Sequence, residues 1–382
     1  DPPAFSARFR LRILGTPLEL TVPVLHRYRD PVLGERTQPF IVQPPVLVQG
    51  PALAQLFADG RARDLSLEVT ATRAAAGRLL IKVPAGWRAE PAVWPFSFAE
   101  AGATQRLQVR IQPPAAPAQG DLAVDLDLDG QRRPALGRQL IVHPHIPTQT
   151  LFPPARLRLV RADVAVRARR IGYLMGAGDD IPPALRQLGC EVELLSDEAL
   201  ASADLSRFDA VVVGIRAFNT RPALARLKDR LLAYVAQGGT EIVLYQVNGA
   251  FPGTNAGLTT DSFGPAPFRI GRDRITDETS PVRLLAPQHR ALLVPNPIGP
   301  SDFDGWVQER GLYFASSWDA AYTPLLAMAD PGEKPLDGGL LVARHGKGHF
   351  VFTGLAFFRQ LPDGVPGAYR LFANLLSLGA RR

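Results

Sequence analysis

Two acidic side chains follow an apolar segment in the second half of the chain. Residues 170–175 are predominantly apolar, and Gly176, Gly178, Asp179 and Asp180 come directly after them. Glycines let a backbone approach a ligand, but paired carboxylates repel phosphate, so a nucleotide cradle is disfavoured. A sugar hydroxyl or a cation suits the carboxylates better. The alternative is that one of them caps the next helix.

Polar side chains also follow two later apolar segments, at residues 210–214 and 241–245. They are Arg216, Asn219, Gln246 and Asn248. Because the carboxyl ends of parallel strands meet at one edge of a sheet, we expect these side chains to share a crevice with Asp179. Together they would form either a polar, carbohydrate-like pocket or a structural ion pair.

A third group of polar and aromatic residues is concentrated in one segment, between positions 302 and 318. Its members are Asp302, Asp304, Trp306, Glu309, Arg310, Tyr313 and Trp318. Aromatic rings stack on sugar rings while carboxylates and Arg bind sugar hydroxyls, so the composition fits glycan recognition. It also fits a loop that its aromatic residues pack onto the domain.

Length, composition and charge favour some classes of protein over others. The chain has 382 residues, 46% of them apolar and 21% charged, which predicts two or three globular domains. No apolar run approaches the ~18 residues of a membrane span, so we expect no membrane-spanning segment. The net charge of +7 is scattered over many predicted strands, whereas nucleic-acid binding requires a clustered basic patch. We therefore expect no nucleic-acid partner.

Two different patterns of side chains divide the sequence. Residues 1–45 are predicted as a leading β segment, either the end of a preceding domain or the first strands of a sandwich. Residues 46–145 alternate apolar and polar side chains between Pro- and Gly-rich turns, which predicts an immunoglobulin-like β-sandwich. Residues 146–168 form a Pro-rich linker. In residues 169–382 strands alternate with helices, which predicts an α/β domain with a mostly parallel sheet.

Five segments resemble blocks from the C-terminal region of large bacterial PIG-L (LmbE-like) deacetylases. They are residues 144–154, 172–180, 213–220, 302–314 and 366–372, in the order that the family has them. The resemblance implies β-sandwich material followed by a flavodoxin-like domain similar to class I glutamine amidotransferases. It also implies a preceding zinc-dependent N-acetylglucosaminyl deacetylase domain as the partner of these residues.

The residues that perform chemistry in those proteins have no counterpart in this sequence. The deacetylase motif is His-Pro-Asp-Asp with a distant His, and no His here precedes Pro-Asp-Asp. The amidotransferase nucleophile is a Cys on the turn after the third strand, where this chain has Arg216 within Gly-Ile-Arg-Ala. We therefore expect no catalytic residue, metal or cofactor in this chain, and zinc only in the deacetylase domain.

The sequence leaves three functional hypotheses open. The first, which we favour, is a non-catalytic accessory region of a PIG-L-type deacetylase that binds glycan or packs against the catalytic domain. The second is an independent carbohydrate hydrolase with Asp179, Asp180 and Glu309 as acid and base. The third is a purely structural or interaction module, which a crevice closed by Trp306 and Phe218 would favour. The resemblance also implies a periplasmic or extracellular location.

Overall fold

The computed structural model describes residues 3–143, 145–248 and 263–379. The chain divides into two compact units. The first unit consists of Asp1–Pro51, Ala62–Gln112 and Asp121–Leu157, and the second consists of Ala52–Arg61, Pro113–Gly120 and Arg158–Arg382. Two short segments from the stretch predicted as a sandwich therefore belong to the second unit.

Strands make up almost all of the regular structure before residue 162. They are β1 (Ser6–Ile13), β2 (Thr16–Pro23), β3 (Leu25–Asp30), β4 (Gly34–Pro39), β5 (Val46–Gln49), β6 (Ala54–Phe57), β7 (Arg63–Ala71), β8 (Ala75–Lys82), β9 (Arg88–Glu90), β10 (Val93–Phe98), β11 (Thr104–Gln112), β12 (Ala118–Leu128), β13 (Gln131–Pro134), β14 (Gln139–Ile141), β15 (Gln149–Leu151) and β16 (Arg156–Arg161).

Alternating side chains build a β-sandwich in the first unit. One sheet has the order β5-β7-β11-β9, and another contains β10-β8-β12 with β13 paired to β12. The buried positions on β7, β11 and β12 are Leu65, Leu67, Val69, Leu107, Val109, Ile111, Leu122, Val124 and Leu126. Every second residue thus points into a shared core, which is how strands of a two-sheet structure behave. The predicted sandwich is confirmed.

Two hairpins precede the sandwich strands. β1 pairs with β2 and β3 pairs with β4, each pair forming a two-stranded antiparallel sheet of its own. The turn after β12 is a third hairpin tip, in which Asp129 and Gly130 both have positive φ angles of 52° and 78°. This is the conformation that two-residue hairpin turns require.

The remaining elements comprise both strands and helices. The strands are β17 (Arg170–Leu174), β18 (Glu191–Leu194), β19 (Ala210–Val213), β20 (Thr240–Val243), β21 (Phe268–Ile270), β22 (Arg274–Ile275), β23 (Val282–Leu284), β24 (Gly311–Leu312), β25 (Ala315–Trp318), β26 (Tyr322–Pro324), β27 (Leu326–Met328), β28 (Leu340–His345) and β29 (Gly348–Thr353). The helices are α1 (Ile181–Gln187), α2 (Asp197–Ser202), α3 (Ala217–Thr220), α4 (Leu224–Ala236), α5 (Arg290–Leu293), α6 (Phe357–Gln360) and α7 (Pro366–Leu376), with short 3₁₀ helices at Leu205–Arg207 and Pro300–Phe303.

A seven-stranded sheet organises the second unit, with the order β18-β17-β19-β20-β29-β28-β26. The five strands from β18 to β29 run parallel, and β28 and β26 are antiparallel to their neighbours. All residues of β19 and β20 are buried, as expected for parallel strands covered on both faces.

Short strands occupy part of the stretch between residues 248 and 323. The antiparallel pairs are β21 with β25, β22 with β24 and β23 with β27. These pairs span only two or three residues each, too few to show a period-2 pattern. Residues 249–262 lie outside the described ranges. The chain as a whole is predominantly β.

One carboxylate lies within the apolar core of the second unit. Glu241 on β20 is 0% exposed, and its two carboxylate oxygens accept no hydrogen bond from the described residues. Val211 and Phe350 are its neighbours on the adjacent strands. Burial in these surroundings raises the pKa of Glu241 to about 8.

This buried carboxyl group makes stability depend on pH. Because the pKa of Glu241 in the folded chain, about 8, lies above its ordinary value of 4.5, the folded protein loses stability as pH rises between those values. In Glu241→Gln that loss is absent. We expect its thermal midpoint to exceed the wild-type midpoint at pH 8 by more than at pH 5.

Glu191→Gln provides the matched control, because the Glu191 side chain on edge strand β18 is 78% exposed. Its midpoint should follow the wild-type midpoint at both pH values. An equal difference between Glu241→Gln and wild type at pH 5 and at pH 8 would contradict the prediction.

Candidate functional site

Asp179 lies just after β17 and points into the domain. Its Oδ1 atom accepts hydrogen bonds from the Tyr173 hydroxyl at 2.7 Å and from the Ile181 amide at 3.1 Å. Ile181 is the first residue of α1, so Asp179 caps that helix, whereas Asp180 is exposed and makes no side-chain cap. Burial raises the pKa of Asp179, and the hydrogen bonds from Tyr173 and Ile181 oppose that rise. The helix-capping alternative describes Asp179 in this structure.

Gly176 brings the loops after β17 and β19 into contact. A Cβ atom at this position would lie 2.1 Å from the carbonyl oxygen of Ile215, which no side chain can tolerate. The adjacent Ala177 amide donates a hydrogen bond to the same carbonyl at 2.9 Å. The glycine therefore serves the packing of two loops, and not the approach of a ligand.

Asn219 joins the loop after β19 to the loop after β20. Its Nδ2 atom donates to the Val247 carbonyl at 2.8 Å, and its Oδ1 atom accepts from the Val247 amide at 2.9 Å. Asn219 is fully buried. Asn248 is exposed and donates from Nδ2 to the Ile270 carbonyl at 3.2 Å. Of the two asparagines, only Asn248 is accessible from solvent.

Gln246 satisfies three backbone groups of the same loops. Its Oε1 atom accepts from the Phe218 amide at 2.9 Å, and its Nε2 atom donates to the carbonyls of Gly214 and Leu244 at 3.1 and 2.8 Å. The side chain is 0% exposed. Gln246 therefore stabilises these loops through backbone groups, and its role as a ligand group stays a prediction.

Asp302 and Trp306 stabilise the start of their own segment. The Asp302 carboxylate accepts from the Gly299 amide at 2.9 Å and from Arg370 Nε at 2.7 Å. Trp306 is 3% exposed, and its indole N–H donates to the Asp302 carbonyl at 3.0 Å. Because both faces of the indole are covered, Trp306 offers no stacking surface to a sugar.

Arg310 is buried beside the same tryptophan. Its Nε and Nη2 atoms donate to the Ser280 carbonyl at 3.1 and 2.8 Å, and Nη1 donates to the Phe303 carbonyl. The guanidinium lies 5.6 Å from the Trp306 ring centroid. Asp304 lies in the turn that precedes Trp306 and is exposed. For Asp302, Trp306 and Arg310, the packed-loop alternative describes the structure.

Replacing Arg310 tests this structural role. Arg310→Met leaves the buried carbonyls of Ser280 and Phe303 without their donors, at a cost of about 1.5–3 kcal/mol for each charged hydrogen bond. We expect the free energy of unfolding to fall by roughly 3 kcal/mol or more, measured by urea denaturation. Asp304→Ala, in the same segment, should change it by less than about 0.5 kcal/mol. An Arg310→Met protein as stable as wild type would show that the residue does not hold the loop.

An aromatic cluster, which the sequence analysis missed, forms at this edge of the sheet. We define the edge cluster as Tyr245, Tyr313 and Phe358. Tyr245 stacks on Tyr313 with ring centroids 5.7 Å apart, and lies 5.3 Å from Phe358. Tyr245 is 4% exposed, whereas Tyr313 and Phe358 are half-buried. Tyr313 was part of the aromatic segment noted above, but the three rings lie too far apart in the chain for any spacing to indicate their contact.

Charged side chains border the edge cluster. The Arg216 guanidinium lies 5.7 Å from the Tyr245 ring centroid, and Arg359 lies 4.9 Å from that of Phe358. Arg359 also donates to the Glu309 carboxylate at 2.8 Å. Burial raises the pKa of Tyr245, and nearby Arg216 lowers it. The sequence predicted that Arg216 shares a crevice with Asp179. In the structure Arg216 lies over the Tyr245 ring, and the Asp179 carboxylate binds Tyr173.

Backbone strain is concentrated around the same cluster. Within the described ranges, the non-glycine residues with positive φ are Leu14, Asp129, Arg216, Gln308 and Tyr313. Leu14 and Asp129 lie in hairpin turns, where this conformation is common. The other three border or belong to the edge cluster, at φ angles of 54°, 67° and 53°. Such conformations cost about 1–2 kcal/mol each and cluster at functional sites.

The described part of the chain contains neither a cluster of metal-binding side chains nor a membrane-spanning helix. No group of three or more His, Cys, Asp or Glu side chains there is arranged to hold a metal ion. No helix in those ranges is long and apolar enough to cross a bilayer.

Comparisons with known proteins identify no family. No family model matches the chain, and no curated protein matches it. Among solved structures, a β-galactosidase from Rahnella sp. R3 is 15% identical with a TM-score of 0.34, and one from Halorubrum lacusprofundi is 18% identical with a TM-score of 0.32. Each alignment covers 57% of this chain, and 32% and 31% of the galactosidases. The chain therefore spans about a third of their length.

A further match is to shorter immunoglobulin-like structures. WR4, an MSP family member from C. elegans, aligns with 30% of this chain over 98% of its own length, at 8% identity and a TM-score of 0.19. Likenesses as low as these assign no function to the chain.

Proposed function

We propose that this chain is a non-catalytic accessory region of a carbohydrate-processing protein, and that the edge cluster binds a sugar ring. The observation that carries the proposal is the geometry of the cluster. Tyr313 and Phe358 present half-buried aromatic rings, which suit the apolar face of a pyranose. Arg216, Arg359 and Glu309 border these rings and supply donors and an acceptor for sugar hydroxyls.

The topology of the sheet supports an amidotransferase-like second unit. From one edge of the sheet, its five parallel strands are β18, β17, β19, β20 and β29. Numbered by their position in the chain, they lie in the order 2-1-3-4-5. This is the order of flavodoxin-like sheets, which bind ligands beyond the carboxyl ends of their strands. The edge cluster lies beyond the ends of β20 and β29, and Arg216 follows the end of β19.

The residue in the turn after β19 supports the proposal that this chain is not catalytic. Arg216 has a φ angle of 54° and immediately precedes α3. A strained residue between strand and helix is the arrangement that presents a nucleophile in many hydrolases. Here the strained residue is an arginine, which is not a nucleophile. The turn therefore supplies a cation to the proposed site.

The contacts of the carboxylates disfavour the hydrolase alternative. Asp179 is bonded to Tyr173 and caps α1, and Glu309 is paired with Arg359. A general acid and base must reach a common substrate, and the Asp179 carboxylate is turned towards Tyr173 and the start of α1 instead. Together with the five family-like segments, this supports the PIG-L-type accessory role. That role includes a zinc-dependent deacetylase domain as partner and a location outside the cytoplasm.

Calorimetric titration with oligosaccharides of N-acetylglucosamine tests the proposal. We expect millimolar binding by the whole chain, weakened roughly fivefold to tenfold in Tyr313→Ala, because a lost aromatic stack costs about 1 kcal/mol. Trp318→Ala is the matched control, since Trp318 is also a half-buried aromatic residue but lies outside the edge cluster. Wild-type protein that binds no sugar at millimolar concentration would refute glycan recognition. Unchanged affinity in Tyr313→Ala would show that the sugar does not bind at the edge cluster.

A further inference from the structure

A buried arginine of the second unit has more hydrogen-bond donors than partners. Arg161, the last residue of β16, is 8% exposed. Its Nη2 atom donates to the Ala115 carbonyl at 3.2 Å and pairs with the Asp163 carboxylate at 2.7 Å. Its Nε and Nη1 atoms are buried and donate to no acceptor among the described residues. Because buried N–H groups almost always have a partner, this guanidinium indicates a site for a further acceptor.

The backbone beside Arg161 fits closely against the guanidinium. Arg161 pairs with Phe57 in the parallel register of β16 and β6, and Gly60 follows shortly after β6. A Cβ atom at position 60 would lie 3.1 Å from Arg161 Nε and 3.4 Å from Nη2. The φ angle of Gly60, 69°, also favours glycine. Packing on this side therefore fixes the position of the guanidinium.

A cavity adjoins the same side chain. Its volume is about 480 Å³, and the polar side chains that line it are Gln119, Arg161, Asp163 and Arg370. Sites for small molecules have volumes in this range. The lining residues all belong to the second unit, and none of them belongs to the edge cluster or to the charged residues that border it. We call it the Arg161 cavity.

The side chains around the Arg161 cavity are rich in donors. Arg370 pairs with Asp302 at 2.7 Å and donates from Nη1 to the Asp163 carbonyl at 3.0 Å, so two guanidinium groups contact Asp163. Gln119 Oε1 accepts from Arg158 at 2.9 Å, which leaves the amide nitrogen of Gln119 as a donor. The Asp163 side chain is 69% exposed. Water and salt screen its charge, so Arg161 holds this carboxylate weakly.

We propose that the Arg161 cavity binds a small molecule through an oxyanion, a carboxylate or phosphate group, that replaces the Asp163 carboxylate on Arg161. Nη1 and Nη2 share the terminal edge of the guanidinium, and two oxygens of such a group match that edge. The oxyanion gives Nη1 the acceptor that the protein does not supply. The exposed Asp163 side chain then turns into water, and Gln119 offers a further donor to the ligand.

The charge of Arg161 disfavours other ligands. A metal cation would be repelled by the guanidinium. A neutral ligand in place of Asp163 would leave a buried guanidinium without a counter-charge, which is unfavourable. An oxyanion keeps the charges balanced and adds a hydrogen bond.

Calorimetric titration of the whole chain with inorganic phosphate and, separately, with succinate tests the proposal at constant ionic strength. Neither anion has a ring to stack on the edge cluster, so the result is independent of the sugar-binding proposal. We expect a dissociation constant on the order of 1 mM, as two charge-assisted hydrogen bonds allow. Binding of phosphate alone or of succinate alone would support the proposal and identify the group that the ligand carries.

Two substitutions at the cavity should change the affinity in opposite directions. Arg161→Lys keeps the charge but loses the planar pair of donors, so binding should weaken about tenfold. Asp163→Asn removes the carboxylate that competes with the ligand, so binding should tighten at least about threefold. Because Asp163 is exposed, the second variant is expected to fold like wild type.

The matched control is Glu193→Gln. Glu193 is also a partly exposed acid paired with an arginine, Arg207 at 2.6 Å, but it does not line the Arg161 cavity. This variant should bind like wild type. Wild-type protein that binds neither anion at about 20 mM would overturn the proposal. Unchanged affinity in Arg161→Lys, or equal tightening in Asp163→Asn and Glu193→Gln, would overturn it as well, because net charge alone would then explain the binding.

Discussion

Every buried backbone group at the carboxyl edge of the parallel sheet has to find a hydrogen-bond partner, and this requirement organises the loops there. Three successive loops leave the sheet within a few ångströms of one another, because Gly176 permits contact between the first two. Gln246 and Asn219 then satisfy the backbone groups that the loops would otherwise leave unpaired. These buried amides hold the loops, and Tyr245, the residue before Gln246, is positioned with them.

The edge cluster depends on this framework. Tyr245 is covered by Tyr313 and Phe358, which come from segments far away in the chain, and by the Arg216 guanidinium. The left-handed conformations of Arg216 and Tyr313 are unfavourable by themselves, so the surrounding packing has to maintain them. A rigid aromatic surface bordered by charged groups is suited to binding a ring with many hydroxyls.

The sequence predicts those parts of the fold in which local pattern and burial agree. In β7 and β11 apolar and polar residues alternate, which indicates strands with one buried face and one exposed face. β19 is wholly apolar, which indicates a strand covered on both faces. The same patterns cannot show whether a polar side chain in a loop binds a ligand or a backbone group. Gln246 and Arg310 have the residue types of a binding site, yet their partners are carbonyl groups of distant loops. The contact of Tyr245 with Phe358 has no local signal, because it depends on how β20 and β29 lie in the sheet.

The central claim is that the edge cluster forms a sugar-binding surface, and it is tested most directly by a crystal structure of the chain soaked with an N-acetylglucosamine disaccharide. We predict one sugar ring stacked on Tyr313 or Phe358, with hydroxyls within hydrogen-bond distance of Arg216, Arg359 or Glu309. A disaccharide bound elsewhere, or an empty edge cluster that is open to solvent in the crystal, would contradict the claim.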